Sequence, residues 1–373
     1  MAGQDRFVAL DVFRGMTICF MIIVNSPGSW SHLYAPLAHA SWHGFTPTDL
    51  VFPSFLFAVG NAMAFVMGKY ASRGNAAFWQ KTLKRSFLIF LIGFLMYWFP
   101  FVVKVDGEWI MKPLSSTRIP GVLQRIALCY LIASVVLHYG SRTFVYAFSI
   151  LALVGYWIIM YIFGDPADPY SLEGNAVLKL DLLIFGPNHL YRGEGIPFDP
   201  EGLLSTLPAT VNVIIGYLAG QFIRRHGTSY ETIARLMLAA GALIFVAFAW
   251  DMSFPFNKKI WTSSFVLLTS GINLAMIASL IYLIDITHYT RGIYFFQVFG
   301  RNPLFIYVTA SILLRIIFMI RVGDTSLYGW MYGSLFGSFA GPKLASLLTA
   351  VWWMLMNWLI GYVLDRKRIY VRV

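Results

Sequence analysis

Long apolar stretches alternate with short polar connections along almost all of the 373-residue chain. A transmembrane helix needs about 20 mostly apolar residues, and ten stretches are close to that length. They cover residues 7–26, 49–68, 84–103, 119–138, 143–163, 205–223, 233–252, 262–284, 294–320 and 344–364. The ninth contains Gly300-Arg301-Asn302-Pro303 and is predicted to be kinked or broken in two. The pattern therefore predicts an all-α polytopic membrane protein, with one transmembrane domain over residues 1–373.

The composition agrees with this pattern. Hydrophobic residues make up 58% of the chain and charged residues 12%, where a soluble domain carries about 25% charged residues. So few charges cannot cover a water-facing surface, which excludes a soluble fold. The net charge of +11 does not indicate nucleic-acid binding, because the basic residues lie in short clusters beside apolar stretches, as the positive-inside rule describes.

Charge in the connections predicts the orientation. Residues 69–85 carry five positive charges and no acid, and the tail after residue 364 is also basic. The 164–204 connection instead carries seven acids against Lys179 and Arg192. Ten spans with both termini in the cytoplasm satisfy these clusters, and they place the 27–48 and 164–204 connections outside it.

Two residues in or beside the first connection, His39 and Asn25, are candidates for catalysis. His39 can take and give a proton near neutral pH. Asp49 either accompanies His39 in a functional site or caps the second helix. Asn25, which closes the first stretch, either ends that helix or acts as a functional group that donates to a developing oxyanion or orients a histidine. His43 lies four residues after His39, but no third ligand is apparent, so no metal site is predicted.

Other polar residues are predicted to bind ligands. Asp11 and Arg14 share one helical face, so they form either an ion pair or an anchor for an anionic ligand, with Arg6 nearby. Arg125, about two turns inside the fourth stretch, is predicted to face a polar interior, as is Asn302 in the ninth. Arg118 at the outer boundary is predicted to snorkel. The predicted substrate contacts are Asp49, His43, Glu201 and Lys258, although interfacial anchoring explains the last two equally well.

The chain contains no Walker A loop, dinucleotide-binding glycine fingerprint, Gly-x-Ser-x-Gly elbow or His-Glu-x-x-His motif. Its distinctive segments, in order, are Arg6-x4-Asp11-x2-Arg14-Gly15, Val24-Asn25, His39-Ala40-Ser41-Trp42, Thr48-Asp49-Leu50-Val51-Phe52-Pro53, Arg118-Ile119-Pro120-Gly121-Val122-Leu123-Gln124-Arg125, Asp199-Pro200-Glu201-Gly202 and Asn257-Lys258-Lys259-x-Trp261. In this order they resemble the catalytic membrane domain of the heparan-alpha-glucosaminide N-acetyltransferase family and its bacterial relatives. The resemblance runs from Arg6 to the tenth stretch.

The resemblance implies an enzyme of the bacterial inner membrane, embedded in lipid, that moves acetyl from cytoplasmic acetyl-CoA to an amino sugar outside. It assigns His39 as the catalytic base or acetyl carrier and Asn25 as its helper, and it is the only basis for a homodimer. A departure is His43, where the family often has asparagine.

Acetyl-CoA is the expected co-substrate, with Arg14, Arg85, Arg125 and Asn302 as predicted contacts. The expected acceptor is glucosamine or a glucosamine-containing glycan. The alternative is a permease for amino sugars or their oligomers, since ten spans and an interrupted helix suit transport equally well. A third possibility is a structural scaffold, but that function gives no role to His39, Asn25 or Arg125.

Overall fold

The computed structural model describes residues 7–71 and 74–371, and helices dominate it. In that part of the chain the α-helices are α1 (Val8–Asn25), α2 (Val51–Ala71), α3 (Asn75–Trp98), α4 (Val122–Tyr139), α5 (Arg142–Phe163), α6 (Ala176–Phe185), α7 (Thr206–His226), α8 (Tyr230–Asp251), α9 (Ser263–Ile281), α10 (Ile293–Arg301), α11 (Pro303–Met319), α12 (Leu327–Trp330) and α13 (Pro342–Arg366). Two short antiparallel hairpins join β1 (Val102–Val105) to β2 (Glu108–Met111) and β3 (Arg321–Val322) to β4 (Thr325–Ser326). The all-α prediction is confirmed.

Eight of the described helices are long and apolar enough to cross a membrane, and α10 with α11 makes a ninth if this bent pair is one span. The predicted break is confirmed: the pair is bent by 83°, at Asn302, because Pro303 has no N–H to continue α10. The remaining predicted stretch, the third (residues 84–103), lies largely in α3. That helix is 24 residues long, but Lys81, Lys84 and Arg85 in its first half make it too polar to count as a span.

The described residues form two compact units, 7–39, 46–55 and 276–371 in the first and 40–45, 56–71 and 74–275 in the second. In the first unit, α1 crosses α10 with backbone touching backbone at two glycines. A β-carbon added at Gly15 would lie 1.8 Å from the carbonyl oxygen of Phe296, and one at Gly300 would lie 1.9 Å from that of Asp11. The core of this unit is apolar, with Phe299, Tyr328 and Trp353 buried against α1.

The second unit contains most of α2, then α3 to α8 and most of α9. Here α2 crosses α7 in the same close manner, since a β-carbon at Gly60 would lie 1.8 Å from the carbonyl oxygen of Val213. A buried aromatic cluster built on Tyr156, Phe198 and Phe254 holds the connection between α5 and α7.

Candidate active site

The first unit joins His39 to Asp49. The chain makes a short 3-10 turn at Pro47–Leu50, and Thr46 caps it. His39 Nδ1 lies 2.6 Å from Asp49 Oδ1, while Asp49 Oδ2 accepts hydrogen bonds from the backbone N–H and hydroxyl of Thr46, both at 3.0 Å. Asp49 is buried, with 1% of its side chain exposed, whereas His39 keeps 34% exposed.

This geometry prepares His39 for proton transfer. A carboxylate can only accept, so Asp49 favours the tautomer with the proton on Nδ1 and leaves a lone pair on Nε2. One oxygen of Asp49 thus takes part in capping the 3-10 turn, with Thr46 rather than Asp49 as the N-cap residue. The other oxygen orients the imidazole, a contact that the sequence did not predict. Because both oxygens are used within the protein, the structure gives no support to the predicted substrate contact of Asp49.

Asn25 lies at the end of α1 and is exposed. The C-cap residue is Ser26, whose hydroxyl donates to the carbonyl of Ile22 and whose own carbonyl accepts from Tyr328 Oη at 2.6 Å. Asn25 lines a cavity of about 300 Å³, here called the Asn25 cavity. His39 belongs to the same unit but is not among the described residues that line this cavity.

Arg14 forms an ion pair with Asp11 on one face of α1, as the spacing predicted. A quarter of its side chain is exposed. Its Nε is buried and has no hydrogen-bond partner among the residues that the structure describes. Arg6 lies outside the described residues.

Asn302 holds the segment that follows α13. Its Nδ2 donates to the carbonyl of Ile369, and its Oδ1 accepts from the N–H of Val371, both at 2.9 Å. Beside it, Arg301 pairs with Asp365 at 2.7 Å. Asn302 is thus a buried polar group, as predicted, but its contacts are structural and lend no support to a role in binding acetyl-CoA.

In the second unit, Arg118 joins the two segments that precede α4 and α7. Its guanidinium donates to both carboxylate oxygens of Asp199, at 2.6 and 2.7 Å, and to Glu201 at 2.5 Å. It also donates to Tyr97 Oη at 3.1 Å and lies 4.9 Å from the ring centre of Tyr191. The prediction that Arg118 snorkels is wrong: 16% of the side chain is exposed and it is held by two acids.

This pairing fixes the charge of the cluster. Burial lowers the pKa of Arg118, but Tyr97, Asp199 and Glu201 outweigh it and raise that pKa well above its ordinary range. The guanidinium therefore stays charged. The carboxylate of Glu201, with 10% of its side chain exposed, points to Arg118, so the predicted substrate contact of Glu201 would have to compete with this ion pair.

Arg125 lies in the first turn of α4, and 1% of it is exposed. Its Nη2 donates to the carbonyl of Gly202 at 3.0 Å and to the hydroxyl of Ser205. Its guanidinium carbon lies 4.9 Å from the ring centre of Trp261. Nε and Nη1 are buried and find no hydrogen-bond partner within the described ranges. The prediction of a polar interior around Arg125 is confirmed.

Asp181, one of the seven acids of the 164–204 connection, lies on α6. It is fully buried, and its Oδ1 accepts from the N–H of Leu203 at 2.9 Å. Oδ2 has no partner among the described residues, and a β-carbon at Gly202 would come within 1.9 Å of it. Burial raises the pKa of Asp181 to about 7, Asp199 adds to this rise, and the Leu203 N–H and Arg125 oppose it.

The remaining predicted residues also lie in the second unit. His43 is exposed, with Nδ1 3.5 Å from Asn257 Nδ2. Lys258 is half-buried. The neighbouring Lys259, which the sequence did not single out, donates from Nζ to the carbonyl of Ser41 at 2.7 Å and to Glu194 at 2.6 Å. Two adjacent lysines look alike in a sequence, so no pattern signal could distinguish them.

Arg85 on α3 is half-buried, with its guanidinium carbon 4.8 Å from the ring centre of Tyr130. Its Nε is buried and unpartnered in the described part of the chain. No group of three or more histidine, cysteine, aspartate or glutamate side chains within the described ranges is arranged to hold a metal ion.

Comparison with known proteins gives a consistent result. The family model for heparan-alpha-glucosaminide N-acetyltransferase, catalytic, matches residues 6–247. The chain is 25% identical over 428 aligned residues to the heparan-alpha-glucosaminide N-acetyltransferase of Mus musculus and 26% identical to that of Homo sapiens. Each alignment covers 100% of this chain, and 61% and 60% of the two relatives. The chain thus spans about three fifths of the length of these relatives.

Proposed function

The chain belongs to the heparan-alpha-glucosaminide N-acetyltransferase family, and on this premise we propose that it is an acetyl-CoA-dependent transmembrane N-acetyltransferase. The acceptor is the amine of glucosamine or of a glucosamine-containing glycan. The observation that carries the proposal is the His39–Asp49 pair, in which a buried carboxylate fixes the imidazole at 2.6 Å. A base oriented in this way is what an amine nucleophile requires, and its catalytic contribution is typically about 10²–10⁴-fold.

The proposed reaction uses His39 Nε2 as the reacting atom. The acceptor nitrogen attacks the thioester carbonyl while Nε2 takes its proton. The C–N bond forms, the C–S bond breaks, and the departing CoA sulfur takes a proton from the imidazolium. If His39 carries the acetyl group itself, Nε2 attacks the thioester carbonyl, the C–S bond breaks and CoA leaves as a thiolate. The acceptor nitrogen then attacks the acetyl carbon, the bond from that carbon to Nε2 breaks, and the proton of the amine passes to the thiolate. In both routes Asp49 holds the ring and stabilises its positive charge.

Asn25 is proposed to stabilise the tetrahedral intermediate. Its amide is exposed at the end of α1 and faces the Asn25 cavity, so it could donate to an oxyanion that forms there. Loss of one oxyanion donor costs about 10²–10³-fold in kcat in other acyl-transfer enzymes.

Arg14 is proposed to bind the phosphates of acetyl-CoA. Changing Arg14 to alanine should raise KM for acetyl-CoA roughly tenfold with little change in kcat, because a contact made equally in ground and transition states affects binding alone. Steady-state kinetics with varied acetyl-CoA measure this. The matched control is Arg235→Ala, which removes an exposed arginine paired with Glu231. An unchanged KM in Arg14→Ala contradicts the phosphate role.

We place the protein in the inner membrane of a bacterium with both termini in the cytoplasm, a proposal that the basic connections support. Acetyl-CoA would then be supplied from the cytoplasm and the acceptor from outside. Arg85 and Arg125 stay proposed acetyl-CoA contacts. The bacterial source and a homodimer rest on the resemblance alone.

The test is transfer of labelled acetyl from acetyl-CoA to glucosamine by detergent-purified protein. We expect labelled N-acetyl sugar and one free CoA thiol for each acetyl transferred. If no amino sugar or glycan releases CoA, the proposal fails. Uptake of labelled amino sugar into proteoliposomes without acetyl-CoA would instead establish the permease.

A further inference from the structure

The hairpin of β1 and β2, in the second unit, has an apolar surface that the acetyl-transfer step does not use. All four residues of each strand are exposed. Most of them are large hydrophobic residues, namely Val102, Val103, Val105, Trp109, Ile110 and Met111. A two-stranded hairpin is at best marginally stable in water by itself, and a contiguous exposed apolar patch marks a surface that interacts with something.

Both faces of the hairpin are apolar. Val102 pairs with Met111, and Val103 pairs with Ile110. Because successive residues of a strand point to opposite faces, the first pair lies on one face and the second pair on the other. A protein surface docked flat on this two-stranded ribbon would cover one face and leave the other in water. Lipid surrounds both faces, so lipid is the occupant that this pattern fits.

The charges of the hairpin lie toward its tip. Lys104, Asp106 and Glu108 occupy the turn and the positions close to it, whereas the two residue pairs at the base of the hairpin carry no charge. Trp109 lies opposite Lys104 and is 66% exposed. Its indole is amphipathic, and such side chains are enriched where a membrane meets water. The hairpin therefore changes from apolar to charged along its length, as a segment does that passes from lipid into water.

The base of the hairpin lies level with the start of a membrane-crossing helix. Helix α3 ends at Trp98, whose Nε1 donates to the carbonyl of Lys112, just after β2, at 2.9 Å. The last turn of α3 packs against the start of α4, since a β-carbon at Gly121 would lie 2.3 Å from the ring of Tyr97. The 18 residues of α4 rise about 27 Å, close to the thickness of the hydrocarbon core of a bilayer. The first turn of α4, and with it the base of the hairpin, therefore lies at the membrane surface.

From these observations we propose that the β1–β2 hairpin is an interfacial anchor. It inserts the apolar base between the headgroups and upper acyl chains of the adjacent lipid leaflet and keeps the charged tip in water. Its depth is limited, because the outer edges of the two strands carry N–H and C=O groups that need water or headgroups as partners. The tip has one cation and two acids, so the anchor binds through its apolar residues and does not require anionic lipid. The inference is independent of the proposed acetyl transfer.

The test places a fluorophore on single introduced cysteines of the full chain in phosphatidylcholine nanodiscs. Met111→Cys and Val103→Cys label the two faces of the base, and Asp106→Cys, the matched control, labels the tip. The native Cys19 and Cys129 are buried, so the wild type should take up little label. A nitroxide on the lipid acyl chain near the headgroup should quench both base positions roughly twofold or more, because an interfacial segment lies about 5–10 Å into the boundary of headgroups and acyl chains. The tip should be quenched much less.

Only labelled proteins whose thermal unfolding matches that of the wild type are compared, so that a misfolded variant is not counted. Quenching on both faces of the base with little at the tip supports the anchor. Quenching on one face alone, or on neither, overturns it, since a protein surface or water then covers the rest of the hairpin. Quenching at the tip equal to that at the base also overturns it, because the charged end would then lie in lipid.

Discussion

Replacing His39 by alanine is expected to lower kcat for acetyl transfer by about 10²–10⁴-fold, because the reaction loses the group that takes the proton of the acceptor amine. The pair with Asp49 at 2.6 Å is the reason to expect a large effect. The carboxylate of Asp49 favours the tautomer that keeps the lone pair on Nε2, the atom that takes the proton. Labelled acetyl transfer at saturating substrates measures the loss, and added imidazole should restore part of the rate.

His32→Ala is the matched control for this experiment. His32 is also an exposed histidine of the first connection, with Nδ1 3.2 Å from the hydroxyl of Ser29, and the mechanism gives it no role. It should keep the rate of the wild type. Normal transfer by a folded His39→Ala protein would contradict the assigned base.

The Asp49→Asn substitution tests the orientation and tautomer of the His39 ring while keeping His39 itself. An asparagine should keep its carbonyl toward the two donors of Thr46 and turn its amide toward His39. That amide donates to Nδ1, which moves the ring proton to Nε2 and removes the reactive lone pair. We expect a loss of rate of about 10²-fold or more with little loss of thermal stability. A rate equal to that of the wild type would show that the tautomer does not matter.

Replacing Asp181 by asparagine is expected to stabilise the protein at alkaline pH and to change little below pH 4. The folded pKa of about 7, compared with an ordinary value of 3.8, means that the folded state keeps this proton longer than the unfolded state. The stabilising contribution of the protonated acid is therefore fully present below pH 4. This contribution to the free energy of unfolding is lost progressively as the pH rises from about 4 through 7. By pH 7 the accumulated loss is roughly 4 kcal/mol.

Asparagine keeps the acceptor for the N–H of Leu203 but cannot become charged, so the variant escapes this loss. The advantage of Asp181→Asn in free energy of unfolding should grow by roughly 3 kcal/mol between pH 4.5 and pH 8. Thermal unfolding in detergent across this pH range measures the difference. The control is Asp106→Asn, which makes the same substitution at the exposed turn between β1 and β2. If the free energies of unfolding of the wild type and Asp181→Asn change in parallel with pH, the raised pKa of Asp181 in the folded state is refuted.

The sequence by itself determined the helical membrane architecture. In lipid every backbone N–H and C=O must be paired within the chain, so an apolar stretch of about 20 residues forms a helix whatever surrounds it. The break at Pro303 is equally local, since the missing N–H acts on its own turn. Helix α3 shows the limit of this reasoning. Lys81, Lys84 and Arg85 divide one continuous helix into a basic part and an apolar part. The pattern alone assigned the basic part to a loop and the apolar part to a span.

Within the candidate site, the sequence identified His39 and Asn25 by their chemistry, position and resemblance. It also placed Asp49 near His39 and offered a capping role for it, but it did not predict the contact between the carboxylate and the imidazole. The family motifs located Arg118 and the Asp199–Gly202 segment, but not their contact.

Only the tertiary structure decided which charges meet. Arg118 and Asp199 are 81 residues apart in the chain, and nothing local pairs this arginine with that acid. The same holds for the near-neutral pKa of Asp181, which depends on burial beside Gly202, and for the choice of Lys259 over Lys258 as the partner of Glu194. The Asn25 cavity brings the end of α1 beside Arg315 of α11. Burial and distance set these interactions, and both arise only when helices that are far apart in the sequence pack together.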